Sequence, residues 1–147
     1  MNLQKRSTVR ILAAAGVLAL VGACSSLPYM KPGTQSVALT GAAEVPPVST
    51  TAAGTGEVTI DPTDKSVTAR IAVTGMTATA AHIHEGAAGT NGPVIVPFVR
   101  TEDNVFEAPK GSKLTDAQYD ALKAGRLYVN VHSAKNPGGE VRAQLKP

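Results

Sequence analysis

The sequence predicts an all-β domain, a β-sandwich or flattened barrel carrying one short inserted helix. Two observations predict it. From Val37 onward apolar residues recur with a period of two in short runs bounded by Gly, Pro and Asp, and a single segment breaks that period with its own start and stop signals. Many short strands with one helix between them belong to that fold class.

The first residues stand apart from the domain. Lys5, Arg6 and Arg10 precede an apolar run from Ile11 to Val21, followed by "VGACSS", the charged, apolar and small-residue order of a secretory signal. The run is shorter than the about 20 residues that span a bilayer. "LVGAC" resembles the lipobox of bacterial lipoproteins, which implies a signal peptide over residues 1–23, cleavage before Cys24 and acyl chains on that cysteine. An ordinary signal peptide with a cysteine nearby is the alternative. Several acyl chains, at about 0.8 kcal/mol per buried methylene, give stable anchorage. Ser25 lacks the aspartate that in such lipoproteins marks inner-membrane retention, so the expected location is the periplasmic side of the envelope, toward the outer membrane. Residues 24–36, small, polar and proline-bearing, read as a tether, and residues 37–147 as one domain of ~110 residues, enough for a single core.

Charge follows from this division. Three of the 14 Lys and Arg lie in the signal, leaving 11 against 11 Asp and Glu. A net-neutral mature part without Trp and with few aromatics offers no electrostatic or stacking platform for nucleic acid. Cys24 is the only cysteine, so lipidation leaves no thiol for a disulfide or a nucleophile.

Within the domain, "EVTIDPTDKSVTARIAVTG" reads as a hairpin. Val58 and Ile60 point inward on the first strand, Asp61-Pro62-Thr63-Asp64 turns the chain, and Val67, Ala69, Ile71 and Val73 line the inner face of the second. "PVIVPFV", Pro93 to Val99, is a continuous apolar run in which Pro97 argues for an edge or a bulge. "KLTDAQYDALKAG" has Thr115 as N-cap, Gln118 at capping-box spacing, Leu114 as staple and Gly125 as left-handed stop, a helix of about ten residues. "RLYVNVHS" and "GEVRAQL" are the last strands, joined by "AKNPGG".

"AAHIHEGAAGTNGP" holds two of the three histidines. On a strand His82 and His84 share one face roughly 6.5 to 7 Å apart, with Ile83 opposite. Neutral imidazole is the commonest metal ligand, and two on one face form a chelate. Tyr128, Asn130 and His132 likewise alternate with Leu127, Val129 and Val131. Asn130 is the candidate partner that orients a ligand from behind, with Glu85 a weaker one. Asn91 and Gly92 suit a turn and take no ligand role. For each histidine a structural reading, without metal, stands beside this one. Nothing resembles a nucleophile elbow, a phosphate-cradling loop or a carboxylate pair, which speaks against hydrolysis and phosphoryl transfer.

"AAHIHEGAAGTNGPVIVPF", "LTDAQYDALKAGRLYVNVHS" and "NPGGEVRAQL", with the opening "VALTGAAEVPPVSTTAAGTGEV", resemble the chordin-like or CHRD domain from about Val37 to Leu145. That resemblance implies a fold more than an activity. "AHIHEGAAGTNGP" and "VNVHS" also resemble, more distantly, the copper-ligand strands of copper-zinc superoxide dismutases. This second resemblance implies a Greek-key fold of the superoxide-dismutase type, copper ligands at His82, His84 and His132, and an anion-guiding catalytic arginine at Arg142. The loop before Arg142 is far shorter than in that family. A solvated arginine paired with Glu140 or Glu85 is therefore the other reading of that residue. With no fourth histidine and no second cysteine, a zinc site of the dismutase type is excluded, leaving one copper with an open position for a small oxidant such as superoxide. The expectation is a lipid-anchored protein that disproportionates superoxide or buffers copper. The rival is a non-catalytic module that binds a protein or polysaccharide through its loops.

Overall fold

The computed structural model describes residues 33–147. The expected signal peptide, Cys24 and the tether up to residue 32 lie outside the described residues. Strand β1 (Thr34–Thr40) begins three residues ahead of the boundary expected at Val37, and a 3-10 turn at Gly41–Ala43 follows it. Then come β2 (Ala53–Ile60), β3 (Val67–Thr74), β4 (Ala78–Glu85), β5 (Val94–Pro97), β6 (Val99–Glu102), β7 (Val105–Glu107), α1 (Asp116–Lys123), β8 (Leu127–Ser133) and β9 (Val141–Gln144).

The strands form one antiparallel sheet in the order β5-β4-β8-β9-β1-β2-β3-β7-β6. Its two ends, β5 and β6, are consecutive in the chain and separated only by Phe98, whose backbone N–H donates to the Ala81 carbonyl at 3.0 Å. The chain therefore steps from one edge of the sheet to the other and nearly closes it into a barrel, with the Arg100 guanidinium donating to the Ala78 carbonyl across the seam. The apolar run over Pro93–Val99 is two strands, β5 and β6, with the edge that Pro97 argued for. Pro97 cannot donate to a ladder, and it ends β5 at an edge, where that loss is tolerated.

The β2–β3 hairpin follows the sequence reading, pairing Ile60 with Val67 across its turn and alternating buried and exposed residues along the whole of β3. Helix α1 carries the full capping box between Thr115 and Gln118, with Gly125 left-handed at φ 67° beyond its end. It is eight residues long rather than about ten.

Cross-strand pairs share a face, so register decides which side chains meet. Ile83 pairs with Val129, and Val129 with Ala143, putting the aliphatic row inside. His82 pairs with Asn130, and Asn130 with Arg142; His84 pairs with Tyr128, and Tyr128 with Gln144; His132 pairs with Ala80. These polar rows occupy the outer face of β4, β8 and β9. Every residue of β8 is nonetheless buried, the inner face by the core and the outer face by the loops after the 3-10 turn, β4 and β8.

Candidate metal centre

All three histidines converge. Their ligating nitrogens lie within 4.8 Å of one another, although His132 is 50 residues from His82. The β4–β8 ladder brings this about, placing His132 two rows from His82 on the same outer face.

Backbone carbonyls fix two of the rings. The Nδ1–H of His84 donates to the Gly92 carbonyl at 2.9 Å, and the Nδ1–H of His132 donates to the Pro137 carbonyl at 2.9 Å. A carbonyl only accepts, so in each neutral ring the proton sits on Nδ1 and Nε2 keeps its lone pair. This is how metal-binding histidines are usually held from behind. The Nε2 of His84 is buried with no hydrogen-bond partner. The Nε2 of His132 accepts from the Nδ1–H of His82 at 3.0 Å. Metal to imidazole bonds of about 2.0 to 2.1 Å put neighbouring nitrogens ~3.0 to 3.4 Å apart, so the group could hold one ion once it draws in from 4.8 Å and His82 frees the nitrogen that now donates to His132. The residues fit a metal.

Burial keeps the imidazoles neutral. It pushes His82 down to about 4, reinforced by the nearby His132 and His84, and it lowers His84 and His132 as well, against the opposing pull of their carbonyl partners. Neutral rings are the ligand form. His82 is half-buried while His84 and His132 are 7 % and 8 % exposed, so the site opens toward solvent on the His82 side.

The loop after β4 is held tightly. A Cβ on Gly92 would stand 1.7 Å from the Glu85 carbonyl oxygen, so only glycine allows that approach. The Gly92 N–H donates to the Tyr128 hydroxyl at 3.1 Å and the Asn91 amide donates to the Val45 carbonyl at 2.7 Å. Asn91 and Gly92 therefore serve the site without ligating.

Arg142 is not the solvated arginine of the alternative reading, and its burial does not test the anion-guiding one. It is 1 % exposed and lies over the Tyr128 ring at 3.4 Å from the centroid, and that ring in turn stacks with His84 at 4.9 Å. Its hydrogen bonds go to Asn91 Oδ1, the Ala87 carbonyl and Gln144 Oε1 at 3.2 to 3.3 Å, and none goes to Glu140 or Glu85. Glu140 is instead taken up by Thr50 and Ser133. Glu85 pairs with Leu127 on the face opposite the histidines and makes no hydrogen bond to them. Asn130 sits in the His82 row, 2 % exposed, with one long bond from its amide to the Gly138 carbonyl at 3.5 Å.

Sequence reasoning missed Glu44 and the part played by Tyr128. Glu44 is 4 % exposed. It lies in the loop "GAAEVPP", where no periodicity marks a residue as buried.

No curated protein and no solved structure gives a significant match to the chain. Apart from Thr34, the nearly closed nine-stranded sheet and its histidine cluster fall within the stretch 35–145, which matches the family model of the CHRD domain, and the chain belongs to the CHRD domain family.

Proposed function

We propose that this CHRD protein is a lipid-anchored protein of the bacterial cell envelope that holds one copper ion through His82, His84 and His132, and uses it to disproportionate superoxide or to buffer copper. The observation that carries the metal reading is the trio itself. Three ligating nitrogens lie within 4.8 Å, and one of them, His84 Nε2, is buried with nothing to bond. A buried nitrogen lone pair left open is costly unless a partner arrives.

Copper is favoured over other divalent metals by the order of affinities at nitrogen sites, which peaks at Cu(II). Bound there, copper would supply one-electron redox chemistry. The chain's own residues do the rest. His84 and His132 present Nε2 in a fixed tautomer. His82 gives up its hydrogen bond to His132 to turn a lone pair inward. Loops over the outer face exclude water from all but the His82 side. Support for the anchor is the order of Lys5, Arg6 and Arg10, the apolar run and Cys24.

Copper titration of the full-length protein followed by electron paramagnetic resonance tests the site. One equivalent bound, with nitrogen hyperfine structure that disappears in a His82→Ala, His84→Ala variant, supports it, and a superoxide assay then separates turnover from buffering. Absence of stoichiometric binding, or binding unchanged in the variant, leaves a structural histidine cluster in an interaction module.

A further inference from the structure

Behind the histidines lies a polar layer to which copper ligation gives no task. Its anion is Glu44, pinned by its backbone N–H to the Gly41 carbonyl at 3.1 Å, with Oε1 buried and lacking a hydrogen bond. A buried carboxylate without full pairing is expensive. Burial accordingly raises its proton affinity above that of an ordinary glutamate, with the Arg142 charge as the main opposing influence.

The carboxylate approaches Asn130 through space that glycine leaves. A Cβ on Gly139, where φ is +133°, would stand 2.5 Å from Glu44 Oε1 and 2.6 Å from Asn130 Nδ2. Glu44 Oε1 and Asn130 Nδ2 thus flank Gly139, and Glu44 Oε1, Asn130 Oδ1 and His84 Nε2 are all buried without a hydrogen-bond partner. Two acceptors cannot satisfy each other. A group placed between them, a water with its two hydrogens or a cation, satisfies both.

Charge points the same way. The three ligands are neutral imidazoles, and Arg142 places a buried positive charge nearby whose hydrogen bonds go to neutral acceptors. Glu140 is buried too, but its oxygens are occupied by Thr50 and Ser133. Glu44 is the buried carboxylate with an oxygen to spare.

We propose that Glu44 is a positioning residue of the histidine centre, holding the Asn130 amide beside it and supplying the negative charge that offsets a bound cation. The inference rests on the copper-site reading. It makes Glu44 a determinant of affinity and of the balance between Cu(II) and Cu(I), since a nearby negative charge favours the more highly charged ion.

The test compares wild type, Glu44→Gln and Glu44→Asp by Cu(II) titration and electron paramagnetic resonance on the full-length protein. Glu44→Gln keeps the shape and loses the charge. Its expected Cu(II) affinity is about 10- to 100-fold lower, the usual effect of removing an outer partner, with an altered copper spectrum, and Glu44→Asp recovers part of both. Wild-type affinity and spectrum in Glu44→Gln overturn the inference while the copper site stands. A wild type that binds no copper removes both. Should Glu44→Gln fail to fold, the wild type answers alone: one equivalent of diamagnetic Cu(I) must shift the carboxyl carbon signal of Glu44 and lower its pKa, because coupling between two sites is reciprocal. An unmoved signal overturns the proposal.

Discussion

His84 is the most constrained of the three imidazoles, held at Nδ1 by Gly92, stacked on Tyr128 and open at Nε2. Its neutrality, and that of its neighbours, carries a pH signature. All three rings have folded pKa values below the ordinary 6.5, His82 at about 4. Between those values the unfolded chain binds more protons than the folded one, so stability is full above pH 6.5 and falls as pH drops toward 4. Thermal unfolding of the metal-free protein is expected to show that decline, and a variant with all three histidines replaced by alanine a flatter one. His82→Ala is expected to weaken copper binding by more than the roughly 10- to 100-fold that an outer partner contributes, as isothermal titration would record. The histidines were legible in the sequence because strand parity alone placed His82 with His84 and Asn130 with His132. Arg142 and Glu44 were not, since their burial is decided by loops whose paths no periodicity encodes.

At the level of elements, β4 and β8 do most of the positioning, pairing from Ala78 with Ser133 to Glu85 with Leu127. A residue slip in this ladder turns the histidines inward and Ile83 outward. Valine and isoleucine opposite each other inside make that slip costly. Such strands were readable from alternation, as β3 shows along its whole length, whereas three-residue β7 offers too short a pattern to read. The run over Pro93–Val99 gave the edge at Pro97 but not the division into two strands, because hydrophobicity reports burial and not where a chain changes sheet edge. Helix α1 was readable from its caps rather than its length. Thr115→Ala removes the side-chain acceptor of the Gln118 N–H and is expected to cost about 1 kcal/mol, measured by denaturant unfolding, with copper binding unchanged because α1 contributes nothing to the histidine cluster.

Across the whole molecule, stability and chemistry sit on opposite sides of one sheet. Ile83 is fully buried between two histidines in sequence, and Ile83→Ala is expected to cost about 2 to 5 kcal/mol in chemical denaturation. One equivalent of copper should act in the other direction. Free metal at 100 times its dissociation constant adds about 2.7 kcal/mol, seen as a rise in the thermal midpoint that the His82→Ala, His84→Ala variant lacks. The near-closure at Phe98 brings the two edge strands β5 and β6 together, and it follows from chain connectivity that no local pattern announces. The separation of the two faces has a practical corollary. The core of β4 and β8 takes no instruction from the histidine rows, so those rows form a writable surface: cysteine or carboxylate donors substituted at positions 82, 84 and 132 should re-ligate the centre for softer or harder metals without redesign of the barrel.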